Sequence, residues 1–181
     1  MEAALQLAEE NENVQGVTIS LEAVAHRAGI TKPGLMYHFP TKAALMEGVV
    51  RSASLAWHRE LTRKAGAEPE DLSVWERYRS YVHVATELPL TRADYWVFTD
   101  ALYHARLTHG WKEHLDPWLD VSGVPGESRT LLFAARFMVD GAWMSGAIGF
   151  TDAAEVRGVQ PHALTLIDQA EALTPNSAGA R

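Results

Sequence analysis

The amino-acid sequence predicts an all-α protein: three short helices, then a larger helical body. Three observations carry this. Apolar residues recur at i, i+3, i+4 and i+7 along most of the 181 residues. Few runs alternate with period two, and the best of them, Val14 to Ser20, is a short polar connector. Glycines and prolines punctuate the chain at Gly66 with Pro69, Pro89, Gly110, Pro117, Gly123 to Gly126, and Gly158 with Pro161. These marks divide the chain into about nine helices, three before residue 40 and six longer ones after it. The expected parts are 1–46, 47–173 and a small, polar, flexible tail, 174–181.

Each early element has a local reason. Leu21, Val24, Ala25 and Ala28 form one apolar stripe. Ser20 is placed to cap that helix, and Glu22 in the first turn suits the helix dipole. Gly29 ends it in the left-handed conformation, and Ile30 is expected to plug the turn. Thr31 caps a second short helix with Pro33 in its first turn. Leu35 and Phe39, four residues apart, point back to Val24 and Ala25. Pro40 stops this helix and Thr41 caps the next, which runs from Lys42 to Lys64 on Leu45, Val49, Ala53 and Ala56.

Composition sets the outer bounds. At 47% hydrophobic and 22% charged, the chain is ordinary for a globular protein. It has no cysteine, which excludes disulfides, thiolate metal sites and a cysteine nucleophile. Leu131 to Phe150 is the most apolar stretch, but Arg136 and Asp140 interrupt it, so it reads as a buried helix rather than a membrane span. Met1-Glu2-Ala3-Ala4 lacks the basic and apolar regions of a signal peptide, and a cytoplasmic location is expected.

The net charge is −7, from 16 basic and 23 acidic residues, which argues against non-specific nucleic-acid binding. Residues 1–50 hold Arg27, Lys32 and Lys42 against Glu2, Glu9, Glu10, Glu12, Glu22 and Glu47. Thr31 to Lys42 nevertheless contains two lysines, one histidine and no acid. Any nucleic-acid contact is therefore local and geometric. Two short helices joined by a glycine turn make a helix-turn-helix. The outer face of the second carries Thr31, Lys32, Gly34, Tyr37 and His38, which suits a major groove lined by phosphates. Taken alone, a packed helical hairpin stays open as a reading, as does packing of Tyr37 on the next helix.

Val24-Ala25-His26-Arg27-Ala28-Gly29-Ile30-Thr31-Lys32 and Leu35-Met36-Tyr37-His38-Phe39-Pro40-Thr41-Lys42-Ala43-Ala44-Leu45 resemble the DNA-binding region of the TetR family of bacterial transcriptional repressors. The rest of the chain agrees with that family only in length and helical content. The resemblance implies that Thr31, Lys32, Pro33 and Gly34 approach base edges and phosphates. It implies that Tyr37, His38 and Lys42 hold the phosphate backbone, with Thr18 and Ser20 adding contacts from the first helix of the motif. Pro33 and Gly34 offer no side-chain donor, so direct readout is expected to be thin and partly apolar. Met36 stands where a tyrosine is common. The resemblance further implies a homodimer on a palindromic double-stranded operator, its two reading helices roughly 34–36 Å apart.

The body holds all six tryptophans, Trp57, Trp75, Trp96, Trp111, Trp118 and Trp143. They signal a heavy core or a pocket for a flat apolar ligand. By resemblance, a small-molecule inducer would be lined by Trp96, Asp100, Tyr103, His104, Phe133, Phe137, Asp140 and Trp143. Aromatic core filler is the alternative. Asp140 has Arg136 four residues before it as a partner, whereas Asp100 has none evident and is expected to meet a cationic ligand.

His104, His109 and His114 are spaced by five residues, not the four that align imidazoles, so no metal is expected. There is no Gly-x-Ser-x-Gly or His-Glu-x-x-His motif, so neither an enzyme nor a cofactor is expected. Small residues at Ala134, Ala135, Gly141, Ala142, Ser145, Gly146, Ala147 and Gly149, with Leu164, Ile167, Ala170 and Leu173, allow close helix approach. The resemblance favours a dimer through the last two helices; packing inside one subunit stays open. The expected function is a DNA-binding repressor released by a small apolar or aromatic ligand. The rivals are a ligand-binding helical module without DNA binding and a small-molecule enzyme on a helical scaffold.

Overall fold

Three hydroxyls start helices in the N-terminal part. Ser20 Oγ accepts from the Ala23 N–H at 3.1 Å, Thr31 Oγ1 from the Gly34 N–H at 3.2 Å, and Thr41 Oγ1 from the Ala44 N–H at 3.1 Å. The computed structural model describes residues 1–10, 19–88, 93, 96, 97, 99 and 105–174. The helices whose bounds lie among the described residues are α1 (Glu2–Glu9), α2 (Leu21–Arg27), α3 (Lys32–His38), α4 (Lys42–Ala65), α5 (Val74–Glu87), α6 (Ala105–Leu119), α7 (Gly126–Ala147), α8 (Ala153–Gly158) and α9 (Gln160–Ala172). A short 3-10 turn, Pro69–Asp71, precedes α5, and no strand occurs among the described residues. Thr18, Asp100, Tyr103, His104 and all of the expected tail except Thr174 lie outside them.

The turn between α2 and α3 is closed by backbone. Gly29 takes φ 67°, the Ile30 N–H donates to Ala25 O at 3.0 Å, and the Gly29 N–H donates to His26 O at 3.2 Å. The expectation that Ile30 plugs the turn is corrected, since its side chain is 46% exposed. The hydrogen bonds already close the turn.

The described residues gather into two compact units. The first takes residues 1–57 and 90–115. Its core joins Ala4 and Ala8 of α1, Ile19 just before α2, Val24 and Ala25 of α2, Leu35 of α3, and Leu45, Val49 and Val50 of α4. Val97, Leu107 and the half-buried Trp96 and Trp111 complete it. Glu9 Oε2 accepts from the Ala93 N–H at 2.9 Å, which ties α1 to the later segment. Gly48 permits the tightest approach: a Cβ there would lie 2.8 Å from the Phe39 ring and 3.2 Å from Met1 Cε.

Gly110 and Pro117 do not break the helix, contrary to the sequence expectation; α6 runs through both. Gly110 gives room to Val50, whose Cγ1 would meet a Cβ at 3.1 Å. Pro117 falls in the last turn, where it forfeits the one bond its N–H would make to the residue four before it and little helix follows to be disturbed. The carbonyls at that end find other donors. Arg77 donates to Pro117 O at 2.8 Å and to Asp120 O at 2.9 Å, and the Tyr78 hydroxyl donates to Leu119 O at 3.3 Å.

The second unit takes residues 58–89 and 116–181. In it α5, α7 and α9 pack on one another around Tyr78, Val82, Trp118, Leu132, Ala135, Val139, Ile167 and Ala170. Trp118 is fully buried and its Nε1 donates to His58 Nδ1 at 3.0 Å. Ala135, Ile167 and Ala170 were expected on a dimer face. They are instead fully buried within the subunit, where α7 and α9 pack on each other.

Glu87 gathers three partners at the end of α5. Its carboxylate accepts from Lys64 Nζ at 2.9 Å and Gln160 Nε2 at 3.2 Å, and lies 2.8 Å from His83 Nδ1. Partial burial opposes its charge, but the hydrogen bonds from Lys64, His83 and Gln160 and the Lys64 charge prevail and hold its pKa at about 2.

Stability is expected to respond at two positions. Gly48→Val is expected to cost about 1–3 kcal/mol by overpacking against Phe39, read as a lower urea midpoint. A depressed carboxylate contributes stability that is present above its unfolded value near 4.5 and is lost as pH falls toward 2. Glu87→Gln is therefore expected to flatten the loss of stability between pH 4.5 and 2 by about one proton, measured by urea titration across that window.

Candidate nucleic-acid interface

α3 is amphipathic over only seven residues. Leu35 is buried in the core of the first unit, beside Val24 and Ala25, and Phe39 is half-buried against the same core. With a period of 3.6 residues, that anchoring turns Pro33, Gly34 and Tyr37 away from the core, while Thr31, Lys32 and His38 sit at the two ends of the short helix, at the edge of the packed face. Thr31, Lys32, Pro33, Gly34, Tyr37 and His38 are all exposed.

Tyr37 does not pack on α4. Its ring is 84% exposed and stands edge-on to His38, with centroids 5.2 Å apart and planes at 86°. The side chains therefore offer a phenol and an imidazole to solvent side by side. Thr31 and Ser20 use their oxygens as helix caps, which leaves each hydroxyl proton available for a phosphate oxygen. Gly34 keeps the start of α3 slender, for a Cβ there would come within 3.1 Å of Thr31 Oγ1. Lys42 opens α4, is exposed, and has no ion-pair partner among the described residues.

Sequence reasoning missed one group. The stretch from Thr31 to Lys42 contains no acid, but the face it forms is not acid-free. α2 brings the Glu22 carboxylate onto Lys32 Nζ as an ion pair. The hydrogen bond from Lys32 holds the Glu22 carboxyl below its ordinary range. The two residues are ten apart, and only the tight turn at Gly29 closes that distance. Arg27 is engaged as well, reaching Glu10 with both terminal nitrogens, one of them at 2.8 Å from Oε1.

The expected ligand residues fall in two places. Trp96 is half-buried against the core of the first unit. Phe133, Phe137, Asp140 and Trp143 lie on α7 in the second. Phe133 and Phe137 stack at 5.9 Å and 19°, and Phe137 is 63% exposed. Asp140 has its expected partner, Arg136 Nε, at 3.2 Å, and also one the sequence did not suggest: the buried Tyr81 hydroxyl donates to it at 2.7 Å. Burial raises the Asp140 carboxyl, against the hydrogen bond from Tyr81 and the charge of Arg136, which lower it.

Among the described residues, no three His, Asp or Glu side chains converge as metal ligands, and no helix is long and apolar enough to cross a membrane.

Residues 1–49 match the family model described as bacterial regulatory proteins, tetR family. Comparison of the chain with curated proteins gives no match.

Proposed function

We propose that the chain, whose residues 1–49 match the family model of bacterial regulatory proteins, tetR family, is a homodimeric DNA-binding repressor released by a small apolar or aromatic ligand. The observation that carries this reading is the outward face of α3. Around the buried Leu35, Thr31, Lys32, Tyr37 and His38 are exposed, with Lys42, which has no ion-pair partner among the described residues, at the start of the next helix. That is a short helix end offering donors to a groove, flanked by groups that reach phosphates. Thr31, Lys32, Pro33 and Gly34 meet base edges; Tyr37, His38 and Lys42, with Ser20 and Thr18, hold the backbone.

A single α3 reads too few bases, so the reading requires a second copy at the spacing of a helical turn. Support for pairing comes from α7 and the residues just beyond its end. Phe137, Met144, Ile148 and Phe150 are exposed apolar side chains, as is Leu173 after α9. Such a concentration of exposed apolar groups is characteristic of an interaction surface. The ligand occupies the C-terminal body among its aromatic residues, with Phe133, Phe137, Asp140 and Trp143 of α7 among the described candidates. It relieves repression by binding unequally to the two states of the dimer.

Two measurements test the reading. Lys42→Ala is expected to weaken binding to the DNA upstream of the gene about equally across sequences and to reduce the slope of log K against log salt by about 1. Unchanged affinity and slope remove Lys42 from the interface. Phe137→Asp is expected to convert the dimer into a monomer in sedimentation equilibrium, and a wild-type chain that sediments as a monomer overturns the dimeric reading.

A further inference from the structure

We propose that Glu22 is a specificity-determining residue that acts through Lys32, withholding that cation from the phosphates of arbitrary DNA. The inference rests on the DNA-binding reading and deepens it.

Residues 1–50 contain three Lys or Arg side chains. Arg27 is held by Glu10 and Lys32 by Glu22, which leaves Lys42 as the one without an ion-pair partner among the described residues. Non-specific affinity for duplex DNA comes from phosphates neutralised by free cations and from the counterions thereby released. A lysine that must first leave a carboxylate contributes little to that sum. The carboxylate it abandons then stands close to the phosphate chain and repels it.

The position of the pair makes the effect selective. Lys32 is the first residue of α3, and Glu22 reaches it from the first turn of α2. Both side chains are largely exposed, so the bond is a surface ion pair that a better partner can break at small cost. Guanine O6 and N7 in the groove accept a lysine in fixed geometry, whereas a lone phosphate offers only charge. Site DNA therefore draws Lys32 away from Glu22 together with the other contacts of α3, while arbitrary DNA does not. Glu22 touches no DNA in this scheme; it positions Lys32.

The test uses the full-length chain, its Glu22→Gln and Lys32→Met variants, and the double variant. Each is titrated by fluorescence anisotropy against a labelled duplex of arbitrary sequence at several salt concentrations. Glu22→Gln is expected to bind about 5–10-fold tighter at ~0.1 M salt, with a slope of log K against log salt steeper by about 1 per bound chain. In the Lys32→Met background the same change is expected to leave the slope unaltered. Circular dichroism and the urea midpoint are expected to stay at wild-type values, which separates the effect from a loss of structure.

Equal affinity and slope for wild type and Glu22→Gln overturn the proposal, as does a gain of the same size in the Lys32→Met background. If neither wild type nor Glu22→Gln binds any duplex even at low salt, the DNA-binding reading falls and the proposal with it.

Discussion

The N-terminal unit depends on the burial of Leu35. A helix of seven residues does not hold itself in water, because the cost of nucleation is not repaid over so short a length. α3 persists because Thr31 caps its start, because Leu35 sinks into a core shared by α1, α2 and α4, and because Phe39 covers the same core at its end. The same burial fixes rotation about the helix axis. Once Leu35 points inward, Tyr37, two residues on, points away from the core. Stability and presentation of the outer face are thus one event, set by one side chain and its four-residue partner.

Much of this was written in local sequence. The caps at Ser20, Thr31 and Thr41, the left-handed Gly29, and the opposition of Leu35 to Tyr37 each depend on residues within one or two turns, and the structure has them. What escaped was set by distance along the chain or by competition. Ile30 read as a plug because it is apolar, but backbone hydrogen bonds had already closed the turn. Gly110 and Pro117 read as breaks because their intrinsic helix propensity is low. Contact with Val50 and the position of Pro117 in the last turn outweigh that preference. Ion pairs were the least visible. Glu22 with Lys32 and Glu10 with Arg27 join residues ten and seventeen apart, and no periodicity connects them.

The two units treat their polar groups differently. In the second, several buried polar groups find long-range partners. Tyr81 and Arg136 both serve Asp140, joining α5 to α7, and Trp118 finds His58. Leaving any of these unpaired in the interior would cost free energy, so each ties the packing of its helices to one arrangement. In the first, the described cations are mostly spent at the surface on neighbouring carboxylates, where the pairs add little stability. Their consequence is electrostatic: they lower the free positive charge of the unit proposed to meet a polyanion.

That restraint and the exposed apolar stripe of α7 belong to one argument. A reading head with few free cations holds any stretch of DNA weakly. Weak heads discriminate well, since most of their affinity for a site must come from fitted contacts rather than from charge. Useful affinity then has to come from joining two of them. When one head has bound, a rigid connection presents the second at a high effective concentration if, and only if, the spacing of half-sites matches. The apolar face carrying Phe137, Met144 and Ile148 supplies the surface for that connection in the proposed dimer. A more basic N-terminal unit would bind without a partner, and the demand for a palindrome would weaken with it. In the proposed dimer, the acidity of the first fifty residues and the exposed apolar side chains of α7 would thus serve the same selectivity.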